Sequence, residues 1–555
     1  MKITTLPVYS KLADEADVPA EVRGKLPKGW RLSQHQVDTY RALTEGDADV
    51  IFNTAMTGDG KSLAAYAPTL INPHRQVFAM YPTNELLRDQ GRQFEGYLEK
   101  FGYAEGNIPF DTLWGAELSR MQKEVGLRTR DAILGERFRN LSVILTNPDI
   151  FNLVMNYTYG QKTLIFTEQE LPYTLGAYFD YFLFDEFHIF AIPQVVAVIS
   201  AMLYFQKQNP GRQKFVFSSA TPVQLLEEML ERSRLKYKII RGDYATVPGE
   251  GYRPVLHPST LNFYKLDERA SAETWVREHV TDIVDFWKSC EGHAKGAIIV
   301  NSVSTARRIT RWLENELYPH NITVGENTGL TDNARRRDSL SKHIVIGTST
   351  IDVGVDFNIN FLVFESINGG TFLQRLGRLG RVKQEVVFSR YEAHALLSGK
   401  APWIYARLEQ AFQDGEEVER SEHLRDVVRN AFPQENDFKP YIKRWGMLHP
   451  AHVIEVLQKR KDTYQQLADM LKEDFEKVFD ASFSKAHGRY WGIRKGEEKG
   501  RKISDEVLAF RGSSPFQVAC WDATVHPPAF MTYDLFWVVQ NTDYIVVDAK
   551  EYEQA

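Results

Sequence analysis

Over the first 250 residues, short runs that are apolar at nearly every position alternate with helical patterns. Val50-Ile-Phe-Asn predicts a strand, followed by a glycine-rich turn and a helical pattern from Ser62 to Leu70. Val77-Phe-Ala-Met-Tyr predicts the next strand, and Asn84 to Tyr97 a helix. Val143-Ile-Leu-Thr, Tyr181-Phe-Leu-Phe and Lys214-Phe-Val-Phe predict three further strands. Apolar runs separated by helices point to a parallel sheet buried on both faces. Thr246 to Pro258 holds three prolines and two glycines and predicts a linker. Beyond it the alternation resumes, with strands at Ala297-Ile-Ile-Val, Ile344-Val-Ile-Gly and Phe361-Leu-Val-Phe.

From about Leu397 the pattern changes. Pro402 to Phe412, Ser421 to Phe432 and His452 to Phe479 predict helices with charged faces. Leu535-Phe-Trp-Val-Val and Tyr544-Ile-Val-Val, joined by Gln540-Asn-Thr-Asp, predict strands. The expected architecture is α/β: two tandem parallel-sheet domains, residues 1–245 and 246–396, and a C-terminal α+β accessory domain, residues 397–555. There is no internal repeat and no low-complexity tract.

Composition narrows the class. The chain has 555 residues, enough for three or four domains. Its hydrophobic share of 43% and charged share of 25% exclude a mostly disordered or fibrous chain. Only Cys290 and Cys520 are present, far apart in sequence, which rules out a zinc site built on cysteines and argues against a disulfide framework. The first residues lack the apolar core of a signal peptide. The best apolar run, Val195 to Phe205, is interrupted by Ser200 and is too short to span a bilayer. A cytoplasmic chain without membrane association is expected. The net charge of −6 argues against a chain that is basic overall, while a local basic groove would suffice for phosphate contact.

Three constellations carry chemistry. Ala55-Met-Thr57-Gly58-Asp-Gly60-Lys61-Ser62 follows a strand and opens a helix, the context a phosphate-binding loop requires. Its backbone amides and the helix N-terminus suit phosphate oxygens, Lys61 would reach the β- and γ-phosphates, and Ser62 would ligate magnesium. Ala55 stands where a glycine is common. The second is Asp185-Glu186-Phe-His188 at the end of an apolar strand. Asp185 suits a magnesium ion, and Glu186 a base acting on the attacking water. The third is Gln374-Arg375-Leu-Gly377-Arg378-Leu-Gly380-Arg381. A solvated basic helix would not carry two glycines, which weaken a helix by about 1 kcal/mol each. Arg378 and Arg381 are therefore expected to stabilise charge on the transferred phosphate. They lie in the second domain and the phosphate loop in the first, so closure would depend on nucleotide.

In this order the motifs resemble a superfamily 2 helicase with two RecA-like domains, over about residues 30–385. The resemblance implies ATP and Mg2+ as cofactors. It assigns adenine reading to Gln36, in Leu32-Ser-Gln-His-Gln, and places Thr57, Gly58, Gly60 and Lys61 around the nucleotide. Tyr81-Pro-Thr83-Asn-Glu-Leu and Leu145-Thr146-Asn-Pro-Asp resemble strand-tracking motifs Ia and Ic, and Asn301-Ser302 with Ala306-Arg307 resembles motif IV. Ser218-Ser219-Ala-Thr221-Pro resembles the motif that couples ATP to nucleic acid. Gly347-Thr348-Ser-Thr-Ile-Asp352-Val-Gly354-Val-Asp356 resembles motif V, with Thr348 towards nucleic acid and Gly354 and Asp356 towards ATP. Asp352 departs from the usual glutamate. The Asp-Glu-Phe-His box is of the DExH type, and His188 would sense the nucleotide state.

Within that group, the acidic box, the Gln-Arg-Leu-Gly-Arg-Leu-Gly-Arg segment and the long linker look similar to the CRISPR-associated type I helicase. Arg511-Gly-Ser-Ser-Pro-Phe-Gln-Val resembles its type I-D branch. That family joins an HD-type phosphohydrolase to the helicase, and this sequence has no His-Asp dipeptide. The resemblance implies the helicase half alone, with single-stranded DNA as track, an RNA-guided CRISPR surveillance complex as partner, a separate HD-type nuclease chain, and 3′ to 5′ movement. Thr83, Thr146 and Thr348 suit phosphate oxygens, which a sequence-tolerant translocase needs more than base contacts. Arg335-Arg-Arg337 is a basic patch or a solvated helix face. His487-Gly-Arg489-Tyr490-Trp491-Gly-Ile-Arg494-Lys495 could stack bases or pack between domains. A DExH RNA helicase of general RNA metabolism and an ATP-gated clamp that does not unwind remain the alternative readings.

Overall fold

A computed structural model describes all residues except 126–128, 160–170, 188–189, 191, 220–223, 269, 332, 353–357, 367, 383–386, 433–444, 460–461, 510–516, 523–528 and 548–555. The chain begins with two short strands, β1 (Lys2–Thr5) and β2 (Val8–Lys11), which belong to different sheets. Seven strands then build the first large sheet: β3 (Val50–Asn53), β4 (Val77–Met80), β5 (Phe110–Leu113), β6 (Val143–Thr146), β7 (Tyr181–Asp185), β8 (Lys214–Ser218) and β9 (Tyr237–Ile240). Their order is β5-β6-β4-β7-β8-β3-β9, with every neighbouring pair parallel.

β3, β4 and β6 are buried at every position, as central strands covered by helices on both faces must be. On one face Phe182, Phe184, Phe205, Phe215 and Phe217 form an aromatic core, with Phe184 stacked on Phe217 at 4.9 Å and Phe182 on Phe205 at 4.7 Å. The opposite face buries Tyr66, Tyr81 and Phe94.

The stretch Thr246 to Pro258, expected as a linker, does run between the large sheets, but Tyr252–Leu256 within it is a strand. β10 (Tyr244–Ala245) and β11 (Tyr252–Leu256) flank β2 antiparallel in a three-stranded sheet. Val8, Val255 and Leu256 supply its small core, against which Met56 and Tyr244 pack. Proline-rich composition hid a strand that is fixed by this burial.

The second large sheet contains β12 (Ser259–Lys265), β13 (Gly296–Ile299), β14 (Val324–Asn327), β15 (Ile344–Gly347), β16 (Phe361–Glu365), β17 (Glu392–Leu397) and β18 (Glu417–Val418). The order is β14-β15-β13-β16-β17-β12-β1-β18, parallel throughout except that β1 runs antiparallel to β12. The N-terminal strand thus crosses to the second sheet.

Residues from 397 onward, expected as one accessory unit, divide between the sheets according to where their apolar faces can be buried. Helices Pro402–Ala411 and His423–Ala431 pack on the second sheet through Ile404, Leu408, Leu424 and Val428. Helices Leu448–Gln458, Asp462–Phe479 and Phe483–Arg494 join the aromatic core of the first sheet through Ile454, Leu457, Leu471, Phe475 and Tyr490. A two-stranded antiparallel hairpin follows, β19 (Gln517–Asp522) and β20 (Ala529–Asp534). Leu535 to Val539, expected as a strand, lies in a helix, Leu535–Asn541. Asp534 Oδ1 accepts the Trp537 amide at 2.6 Å, a helix cap that fixes this choice where the apolar run itself does not. Tyr544 to Val547, also expected as a strand, has no regular structure.

Candidate nucleotide and nucleic-acid site

The phosphate loop runs from the C-terminal end of β3 into helix Lys61–Ile71. Gly58 and Gly60 have φ of 89° and 83°, a region that disfavours any residue with a Cβ. At Gly60 a Cβ would also fall 2.5 Å from Gln36 Nε2. Lys61 Nζ donates to the Ala55 carbonyl at 2.7 Å and the Met56 carbonyl at 3.2 Å, so it is folded back on its own loop. Burial pushes its pKa down, against the opposing pull of Glu186, Asp185 and Asp59. Ser62 follows it in the first turn of the helix.

Gln36 braces this loop. Its Oε1 accepts the Ser33 amide at 2.9 Å and its Nε2 donates to the Gly60 carbonyl at 3.0 Å. The side chain is buried and caps helix Gln34–Thr44, so its amide supports the loop as well as lying next to it.

Asp185 ends β7, which places its carboxylate at the C-terminal edge of the sheet. Glu186 turns the chain sharply away with φ of 49°. Burial and the adjacent Glu186 carboxylate raise the Asp185 carboxyl far above its usual range, to about 7. Two crowded carboxylates close enough to act on Lys61 form a locally under-compensated negative site. Together with the Ser62 hydroxyl they offer hard oxygen ligands of the kind Mg2+ takes, the rest coming from water and phosphate. Among the described residues no cluster of three His, Cys, Asp or Glu could hold a metal by itself.

The second sheet delivers the arginines. Helix Gly369–Leu376 is capped by Asn368, whose side chain accepts the Thr371 amide at 2.8 Å. Its C-terminal end meets the phosphate loop: a Cβ at Gly377 would lie 3.3 Å from Thr57 Cβ. Arg381 reaches over the loop, its Cγ, Cδ and Nε 3.8 Å from where a Gly58 Cβ would stand, and its Nε donates to the Gly377 carbonyl at 2.9 Å. Gln374 and Arg378 are buried beside it. Arg375, the first arginine of the series, is a clamp, donating to Asn301 Oδ1 at 2.9 Å and the Glu365 carbonyl at 2.6 Å.

Residues 33–229 match the DEAD/DEAH box helicase family. Residues 292–384 match the C-terminal region of the CRISPR-associated nuclease/helicase Cas3. No curated protein matches the chain. Among solved structures it is similar to the DUF1998 helicase MrfA bound to DNA, with 15% identity and a TM-score of 0.56, covering 83% of this chain and 64% of that one. Mycobacterium smegmatis helicase Lhr bound to ssDNA and AMP-PNP has 16% identity and a TM-score of 0.53, with 84% and 56% covered. Mss116p bound to ssRNA and AMP-PNP has 14% identity and a TM-score of 0.51, with 90% and 98% covered. The chain therefore spans just under two thirds of MrfA and a little over half of Lhr. The two parallel sheets are RecA-like helicase folds, as expected.

The three threonines expected to meet phosphate part company. Thr83 caps helix Asn84–Lys100, its Oγ1 accepting the Leu86 amide at 3.2 Å, and stays partly exposed. Thr348 is largely buried where β15 gives way to a short helix. Thr146 is fully buried and donates to the Leu113 carbonyl at 2.7 Å, so as folded its hydroxyl serves the β5–β6 edge and not a phosphate. Its half-buried neighbour Asn147 donates through Nδ2 to Asn84 Oδ1 at 3.2 Å, linking the segments that follow β6 and β4.

Of the residues expected to couple the nucleotide to nucleic acid, Ser219 is buried and its amide donates to the Asn53 carbonyl at 3.2 Å, tying β8 to the strand that leads into the phosphate loop. Thr221, His188, Gly354 and Asp356 lie outside the described residues. Arg336, from the basic segment, pairs with Glu85 of helix Asn84–Lys100 at 2.8 Å, joining a helix of the second sheet to one of the first. The cation-aromatic segment is a packing element: Tyr490 is buried, Lys459 and Lys495 lie over Trp491, and Arg489 lies over Trp445.

Sequence reading overlooked Asp59, His35, Tyr244 and Arg253, which gather at the back of the phosphate loop. Arg253 donates to the Asp59 carbonyl at 2.9 Å and also binds its carboxylate. The visible signals were an aspartate between two loop glycines and an arginine inside a supposed linker.

Proposed function

We propose that the chain is an ATP-driven single-stranded DNA translocase and helicase of a type I CRISPR interference system. It would unwind target DNA after recruitment to an RNA-guided surveillance complex, with an HD-type nuclease supplied by a separate chain. The observation that carries the motor reading is Arg381 of the second sheet lying 3.8 Å from the Gly58 Cβ position of the first. The match of residues 292–384 to Cas3 supports the CRISPR assignment.

In this reading ATP draws Lys61 off the Ala55 and Met56 carbonyls onto its β- and γ-phosphates. Ser62 and Asp185 would hold Mg2+, which supplies charge neutralisation at the phosphates. Glu186 accepts the proton of the attacking water, and Arg378 and Arg381 stabilise charge on the transferred phosphoryl group. Gly354 and Asp356 would serve the nucleotide, and His188, Ser219 and Thr221 would report its state to the track, where Thr83 and Thr348 would meet phosphates. Because the arginines and the loop sit on different sheets, hydrolysis changes how the sheets meet, and that movement steps the strand.

The fold similarity to Mss116p bound to ssRNA favours RNA as the second reading of the track. ATPase assays with single-stranded DNA and RNA separate the two. Stimulation by DNA and strand displacement support the proposal. Stimulation by RNA alone replaces it with the RNA helicase, and hydrolysis without displacement replaces it with a clamp.

A further inference from the structure

Asp59 is the one acidic residue of the phosphate loop, and its side chain is fully buried. A buried carboxylate is costly unless its oxygens are hydrogen-bonded. Here they are saturated. Ser10 Oγ donates to Oδ2 at 2.9 Å and Tyr244 OH to the same oxygen at 3.0 Å. Arg253 Nη2 binds Oδ1, and Ser33 Oγ reaches Oδ1 at 3.4 Å. His35 Nε2 lies 3.2 Å from Oδ2. Asn53 Nδ2 stands 3.2 Å from His35 Nδ1 and donates to it, which leaves the proton on Nε2, facing Asp59.

The origin of these donors is informative. Ser10 lies on β2, Tyr244 on β10 and Arg253 on β11, so each strand of the three-stranded sheet contributes one. Ser10 and Arg253 are cross-strand partners, which puts both on the face turned to the loop. This small sheet is also where the chain passes between the large sheets. β2 follows β1, which is part of the second large sheet, and β11 runs directly into β12 of the same sheet. Tyr244 OH further accepts the Met56 amide of the loop at 2.6 Å. Through its bonds to Ser10 on β2 and Arg253 on β11, Asp59 thereby ties the phosphate loop to two of the chain's passages between the large sheets.

We propose that Asp59 is a positioning residue that transmits occupancy of the phosphate loop to the small sheet and through β1 and β12 to the second motor sheet. When Lys61 leaves the Ala55 and Met56 carbonyls for phosphate, the loop shifts. Asp59 carries that shift to Ser10, Tyr244 and Arg253, which are rigidly paired in β2, β10 and β11. The small sheet is then a lever driven by the nucleotide, in addition to the contact of Arg381 across the cleft. This inference rests on the motor reading above.

The test uses the full chain with Cys520→Ser and dyes on cysteines introduced at Glu105 and Tyr318, exposed positions on the first and second units. Transfer efficiency is read before and after adding a non-hydrolysable ATP analogue with Mg2+. Loss of the transfer change is expected in Asp59→Asn and Ser10→Ala, and its return in Ser10→Thr. In steady state, stimulation of turnover by single-stranded DNA falls about tenfold in Ser10→Ala while KM for ATP moves less than about threefold, a split that general destabilisation would not produce. A wild-type response in both Asp59→Asn and Ser10→Ala overturns the inference. So does a Ser10→Thr chain that behaves like Ser10→Ala. If Asp59→Asn does not fold, the Ser10 pair decides alone. A wild-type chain that binds no ATP analogue would instead sink the motor reading and this inference with it.

Discussion

The pairing of Asp185 with Glu186 should make nucleotide binding titrate near neutrality. Asp185 is pushed from 3.8 to about 7 by burial and by the neighbouring carboxylate. That displacement corresponds to about 4 kcal/mol against the ionised form. If Asp185 holds Mg2+ as proposed, it does so as the ionised carboxylate, and the proton would have to leave before MgATP binds productively. Below the raised value, each further pH unit should cost about a factor of ten in kcat/KM for MgATP, while above it the profile should be flat. The same displacement has a stability consequence of opposite sense. The folded state holds this proton more tightly than the unfolded chain does. Its contribution is therefore full below the unfolded value near 3.8 and is lost as pH rises through about 7. MgATP should reverse that loss. The assay is initial-rate ATPase between pH 5.5 and 8.5, together with equilibrium binding of a fluorescent ATP analogue. Glu186→Gln keeps the size but removes the like charge, and should move the binding midpoint to lower pH. A binding profile that is flat across this range, or one that Glu186→Gln leaves in place, would refute the electrostatic account of the site.

Three further outcomes follow from the geometry. Lys61→Ala should abolish ATP turnover while single-strand binding largely survives, and wild-type turnover would remove the phosphate-loop assignment. Gly60→Ala places a Cβ 2.5 Å from Gln36 Nε2 at φ of 83°; the left-handed backbone alone costs about 1–2 kcal/mol, so ATP affinity should fall about tenfold or more in a binding titration. His449 is pushed down to about 3 by burial and by His452, at the junction where its Nε2 meets Asn152 Oδ1 at 3.3 Å. Its contribution to stability is full above the unfolded value near 6.5 and is lost as pH falls from there towards 3, so urea midpoints should drop over that window, and less steeply in His449→Gln.

The central strands were legible because β3, β4, β6, β13 and β15 are buried on both faces and therefore read as unbroken apolar runs. Edge strands were not. Phe110–Leu113 and Val324–Asn327 mix polar with apolar residues because each has one open side. Glu392–Leu397, rich in Ala and Leu, has helical propensity and is still a central strand, since β12 and β16 on either side override local preference. Leu535–Val539 reads as a strand because an apolar run of five residues fits both states, and the Asp534 cap decides for the helix. In the site, the loop, the acidic box and the arginines announced themselves by spacing. What spacing could not reveal was which hydroxyls are spent: Thr146 reads like Thr83 in sequence but is consumed by the Leu113 carbonyl. Nor could it reveal the ring of donors around Asp59, which comes from residues 10, 33, 35, 244 and 253.

The central claim is that ATP is hydrolysed in a cleft shared by the two sheets, under control of a nucleic-acid strand. The most direct measurement is steady-state ATP turnover of the wild type and Arg381→Ala, each with and without single-stranded DNA. The account predicts strong stimulation of the wild type, with turnover in Arg381→Ala lower by about 10³-fold or more while ATP still binds. DNA-stimulated turnover of Arg381→Ala at the wild-type rate would contradict it.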